Sequence, residues 1–102
     1  MNGASWKVVY SKQAKSELPL LKATKLLRKT KELIEVLKEN PLKTPPPYEK
    51  LLGNMDGKYS RRINLKHRLV YEILPNTQNL ENAFGEPFEG LAYIVSMWTH
   101  YE

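Results

Sequence analysis

The stretch YSRRINLKHRLVYEIL, residues 59–74, decides how this chain folds. It holds two alternating segments separated by Asn64-Leu65-Lys66. In the first, Tyr59, Arg61 and Ile63 fall on one face, Ser60 and Arg62 on the other. In the second, Arg68, Val70, Glu72 and Leu74 alternate with His67, Leu69, Tyr71 and Ile73. A period of two is the signature of a β-strand. Two such strands with a three-residue connector predict neighbouring antiparallel strands.

Upstream of the pair, Gly53, Asn54, Asp56 and Gly57 mark a turn, and Asn40-Pro41 with Pro45-Pro46-Pro47 predicts an extended polyproline connector. That connector fixes the position of Tyr48-Glu49-Lys50. The region from about Lys12 to Lys38 reads as helix. Ala23, Leu26, Leu27, Leu33, Ile34 and Leu37 recur three, four and seven apart, and Lys22, Lys25, Arg28, Lys29, Lys31 and Lys38 form the opposite, basic face. That basic row reads as a solvated face or as a docking surface for RNA. An interior proline costs a helix about 3 kcal/mol, so Pro19 predicts a break near Leu18–Ala23 and two helices, the second longer. Trp6–Ser11 reads as a first strand and Leu91–Trp98 as a last one, approached through the polar connection Pro75–Gly90. Strand, two helices and then three or four strands predict one α+β domain over residues 1–102. Its small antiparallel sheet carries both helices on one face.

The 102 residues carry 16 Lys+Arg against 11 Asp+Glu, a formal net charge of +5, which suits a polyanionic partner. With no cysteine there is no disulfide framework, thiol nucleophile or zinc–thiolate cluster, in keeping with a cytoplasmic chain. No apolar run reaches the roughly 20 residues of a membrane span, and the N-terminus lacks a signal-peptide layout. Glycine-rich phosphate loops and nucleophile elbows are also missing.

Helices on one face of an antiparallel sheet leave the other face free. Arg61, Arg62 and Arg68 lie on two adjacent strands, and guanidinium groups fork onto phosphate oxygens, so this cluster predicts a face that grips a phosphate backbone. Metal-free cleavage of RNA at its own 2′-hydroxyl needs a base, fixed positive charge at the phosphate and an acid for the departing oxygen. Glu49, the arginines and His100 supply these groups. Imidazole, with a free pKa of about 6.5, suits the acid, whereas a free carboxylate near about 4.3 is a weak base. Tyr101 offers a ring on which a base can stack. His67 reads as a strand residue with a satisfied ring, and two histidines without an acidic cluster argue against a metal site.

Three segments, WKVVYSKQAK (6–15), PPPYEKLLGNMDGKYSRRINLKHRLVYEI (45–73) and MWTHYE (97–102), resemble the Txe/YoeB family of bacterial toxins within the RelE-like superfamily. The resemblance implies a RelE-like fold and a toxin of a type II toxin–antitoxin system. It implies a ribosome-dependent endoribonuclease, or mRNA interferase, that needs no cofactor. Its partners would be a YefM/Axe-type antitoxin whose C-terminal segment covers the active site, the 70S ribosome with its message, and a second copy in a homodimer. Operator DNA would be met only through the antitoxin complex. Matched position by position, the general base falls on Glu49, the phosphate-stabilising arginine on Arg68, the general acid on His100 and its neighbour on Tyr101, with Arg62 as a second arginine at the RNA. The chain departs from the family in its long Pro75–Gly90 connection, where Phe84 and Phe88 are expected to cover part of the sheet edge. The alternative reading is a basic RNA- or ribosome-binding module without cleavage, which would need the arginines but no placed acid and base.

Overall fold

The computed structural model describes residues 5–99. Five strands form one sheet: β1 (Trp6–Tyr10), β2 (Glu49–Lys50), β3 (Lys58–Arg62), β4 (Arg68–Leu74) and β5 (Gly90–Thr99), in the spatial order β1-β5-β4-β3-β2. The three pairings from β2 to β5 are antiparallel, as expected. β1 adds a parallel pairing to β5, running from Trp6 opposite Gly90 to Tyr10 opposite Ile94. Parallel partners need a long crossover, and here the helices and three intervening strands provide it. Gly90 is required where β5 begins: a Cβ there would lie 2.4 Å from the Trp6 ring and 2.9 Å from the Leu74 carbonyl oxygen.

Two helices, α1 (Lys12–Ala23) and α2 (Leu27–Glu39), pack on one face of the sheet. Ala14 and Leu21 of α1 and Leu33, Ile34 and Leu37 of α2 meet Leu69, Tyr71, Ala92, Ile94 and Met97 in the core. Each buried leucine or isoleucine contributes about 1.5–3 kcal/mol. The lysine and arginine row on the outer side of α2 is solvated, and its pairs such as Arg28 with Glu32 contribute little.

The helix break lies at Thr24–Leu26 rather than at Pro19, which sits inside α1. Pro19 points to solvent, so water can satisfy the carbonyl that lost its partner. The break is a Schellman turn, in which Leu26 N donates to Leu21 O (2.8 Å) and Lys25 N to Lys22 O (3.2 Å). Lys25 takes the left-handed position with φ 63°, where glycine is usual, so the sequence carried no glycine signal for it.

The connector from Pro41 to Pro47 also differs from the extended polyproline form expected. The Thr44–Pro45 and Pro45–Pro46 peptide bonds are cis, and the chain gathers its carbonyls around one side chain, Arg61. The Pro75–Glu89 connection is tied by asparagines. Asn76 Nδ2 donates to Leu80 O and Phe88 O (3.0 Å each), and Asn82 Oδ1 accepts from Phe84 N and Glu86 N. Phe88 lies beside the edge strand β1 under the Lys7 ammonium, 5.9 Å from the ring centre, but Phe84 is 62% exposed and covers nothing.

Burial pushes the Tyr71 hydroxyl above its ordinary value of 10.0, against the lowering effect of the Arg61 charge and hydrogen bond. Burial raises Tyr10 in the same direction. A raised folded-state value means that the unfolded chain loses these protons first, so stability is retained below pH 10 and falls as pH climbs through the folded value. The urea midpoint is expected to drop in titrations above about pH 10. Tyr71→Phe, less stable at neutral pH, should lose less over that interval.

Candidate active site

Strand alternation sorts the candidate residues by face. The pairings Glu49–Ser60, Ser60–Val70 and Arg62–Arg68 place all five of these residues on the sheet face opposite the helices. Arg68 Nη1 hydrogen-bonds the Glu49 carboxylate and lies 3.3 Å from Ser60 Oγ. The Arg68 side chain is 19% exposed and that of Glu49 64%. Arg62 is exposed beside them. The floor below these charges, made of Ser60, Val70 and Ser96, is buried. A guanidinium held over a buried floor, with one rim open to solvent, is placed to meet a phosphate from outside.

Glu49 reaches this face because its neighbour is pinned to the other. The Tyr48 ring meets Tyr59 edge-on at 5.7 Å, and Tyr59 stacks on Tyr71, also at 5.7 Å. With Tyr48 anchored in this ladder, the next residue of the short strand β2 projects oppositely. At the other end of the hairpin, Asn64 Oδ1 accepts from Lys66 N (2.9 Å) and His67 N (2.7 Å), closing the turn that starts β4 at Arg68.

Arg61 corrects the sequence reading. It is not on the face of Glu49 and Arg68 but buried among the helix-side residues, 1% exposed. Nη1 donates to Pro46 O (2.6 Å), Nη2 to Pro41 O (2.9 Å) and Lys43 O (2.8 Å), and Nε to the Tyr71 hydroxyl (3.3 Å). Its guanidinium also lies 5.3 Å from the Tyr48 ring centre. The physical reason was in the alternation itself: Arg61 shares a face with Tyr59 and Ile63, which is the covered one. A fork of five donors can satisfy the carbonyls of an irregular segment where a lysine cannot.

His67 also departs from expectation. Its ring stacks on Trp98 at 4.0 Å, but among the described residues its buried Nδ1 has no hydrogen-bond partner, and neither has Ser96 Oγ. His100 and Tyr101 lie outside the described residues; β5 runs to Thr99, the residue before His100. Among the described residues no group of three or more His, Asp or Glu is placed to hold a metal ion. No helix among them is long and apolar enough to cross a membrane. The sequence reading missed the parts played by Ser60 and Tyr48. Ser60 was legible, since it alternates in step with Arg62, but the Tyr48–Tyr59–Tyr71 ladder needs the register of three strands.

The model of the YoeB-like toxins of bacterial type II toxin–antitoxin systems matches residues 10–91, four-fifths of the chain. The chain belongs to this family. The toxin YoeB of Synechocystis sp. is 43% identical over 49 residues, which are 48% of this chain and 57% of that relative, so the match spans little more than half of its length. The YoeB dimer of Staphylococcus aureus superposes with a TM-score of 0.71 at 30% identity, covering 96% of this chain and 100% of that one. YoeB in the YoeB–YefM complex of the same organism gives 0.67 at 29% identity, covering 94% and 98%. The two helices on a five-stranded sheet are therefore the fold of the YoeB and RelE-like toxins, and this chain is a toxin of a type II system.

Proposed function

We propose that this toxin is an endoribonuclease that cuts messenger RNA in the ribosomal A site by attack of the RNA's own 2′-hydroxyl. The observation that carries the reading is the Glu49–Arg68 pair on the uncovered face of a YoeB-family sheet. Glu49 takes the proton from the 2′-hydroxyl, and the oxygen attacks the adjacent phosphorus. Arg68 neutralises the charge that builds on the non-bridging oxygens, and the bond to the 5′-oxygen breaks. His100 donates a proton to that oxygen, so the products are a 2′,3′-cyclic phosphate and a free 5′-hydroxyl. Arg62 and Tyr101 hold the RNA beside the reacting linkage. Arg61 has no part at the RNA.

In the free protein Glu49 occupies the charge of Arg68, and the incoming phosphate must displace it. Glu49→Gln is therefore expected to lower KM for ribosome-bound message while lowering kcat by about 10²-fold. Steady-state cleavage on programmed ribosomes measures both.

By likeness to the complexes of its relatives, the chain is held inactive in the cytoplasm by a YefM-type antitoxin, forms homodimers, and meets operator DNA only through the antitoxin complex. The deciding experiment incubates purified 70S ribosomes, a defined message and the toxin in magnesium-containing buffer, then maps the cleaved ends. Cutting in the A site with a cyclic phosphate end, lowered at least about 10²-fold in Arg68→Ala and His100→Gln, is the expected result. Ribosome binding without any cutting would replace the nuclease reading by that of a binding module.

A further inference from the structure

The pairing of β1 with β5 stops at Tyr10 and Ile94, leaving the second half of β5 without a strand on that side. The start of α1 takes over. Ser11 N donates to Ile94 O (2.9 Å) and Ser11 Oγ to Val95 O (2.7 Å), while the same Oγ caps α1 by accepting from Ala14 N (2.9 Å). The next vacant amide, Met97 N, donates to Glu17 Oε1 at 2.6 Å, across 80 residues of sequence. Glu17 is 7% exposed, and its second oxygen accepts from Gln13 Nε2 at 3.0 Å. A carboxylate buried in a helix–sheet interface costs free energy unless its oxygens are satisfied. A hydrophobic residue would fill this interface of Ala14, Leu21 and Met97 without that cost, so the carboxylate has to be explained by what it holds.

What it holds is the irregular part of β5. The register against β4 shifts twice here, between Val70 and Tyr71 and between Arg68 and Val70, so that Thr99 rather than Met97 comes opposite Arg68. Bulges re-aim the strand that carries them, and they lack the regular ladder that would fix it. Glu17 stands in for the missing strand carbonyl at this point. We infer that Glu17 is a positioning residue for the reaction: its bond to Met97 N fixes the path of β5 as far as Thr99, the residue before His100. This rests on the nuclease reading above, in which His100 is the acid.

The test compares wild type, Glu17→Ala and Glu17→Gln by two measurements. In amide hydrogen exchange, Glu17→Ala should speed exchange at Met97 to Thr99 at least about tenfold while Ala92 and Ile94 keep their protection. Glu17→Gln, which retains an acceptor oxygen, should stay near wild type. In message cleavage on ribosomes, Glu17→Ala should lower kcat by about 10- to 100-fold with KM unchanged, and Glu17→Gln should restore most of it. Unchanged exchange at Met97 to Thr99, loss of protection throughout the sheet in both variants, or a wild-type kcat in Glu17→Ala would each overturn the inference. The exchange arm does not depend on activity, so an inert wild type would count against the nuclease reading and leave this arm to decide the positioning of β5.

Discussion

Arg61→Leu is expected to destabilise the protein by about 4 kcal/mol or more, a large share of the roughly 5–15 kcal/mol that holds such a domain together. The side chain donates to the carbonyls of Pro41, Lys43 and Pro46 and to the Tyr71 hydroxyl; the bonds to Pro41 and Tyr71 are buried and those to Lys43 and Pro46 half-buried, and the Tyr71 hydroxyl itself donates to Pro41 O. Leucine matches part of the volume but none of the donors, and each carbonyl left buried without a partner costs about 1–3 kcal/mol. Arg61→Lys should fall between the two, because an ammonium keeps the charge but cannot span three acceptors. Urea denaturation gives the ranking wild type, lysine, leucine. Equal midpoints would show that the connector holds its shape without the guanidinium. Any loss of message cleavage in these variants should follow the fraction unfolded, unlike a loss at the site itself.

Arg68→Ala is expected to behave in the opposite way. The Arg68–Glu49 pair is partly exposed, so its loss changes stability by no more than about 1 kcal/mol. Cleavage should fall by about 10²- to 10³-fold in kcat, the usual cost of removing one fixed group from a developing oxyanion. Arg68→Lys restores charge without the fork and should recover part of the rate. Thermal unfolding and single-turnover cleavage on ribosomes, run on the same preparations, separate the two arginines: Arg61 variants lose stability first, Arg68 variants lose rate alone. A rate that survives Arg68→Ala would move the phosphate-stabilising role to Arg62, the other arginine on that face.

The alternation at residues 59–74 carried most of the fold, because a period of two states both the strand and its faces. It also contained the correct place of Arg61, in step with Tyr59 and Ile63. The error was to count arginines by proximity in sequence before sorting them by face. Glu49 and Arg68 were legible through the family resemblance, and the register brings them together. Three things were beyond local reading. The helix break at Lys25 uses a residue that carries no turn signal. The compact Pro41–Pro47 segment is shaped by Arg61, which comes later in the chain. The bond from Glu17 to Met97 joins residues 80 apart, and in the sequence Glu17 looks like one more charge on a helix.

Among the described residues the fifth strand in chain order, β5, is not at the border of the sheet but inside it, between β1 and β4. Until β5 has been made, β1 has no partner, and the β2–β3–β4 meander ends on an unpaired strand. Nascent chains halted before Gly90 therefore cannot join the two parts of the sheet, and neither the helix-side core nor the bulged end of β5 can assemble in them. Completion of the fold waits on the synthesis of β5, a high-contact-order arrangement that favours slow, late closure over stepwise gain of structure.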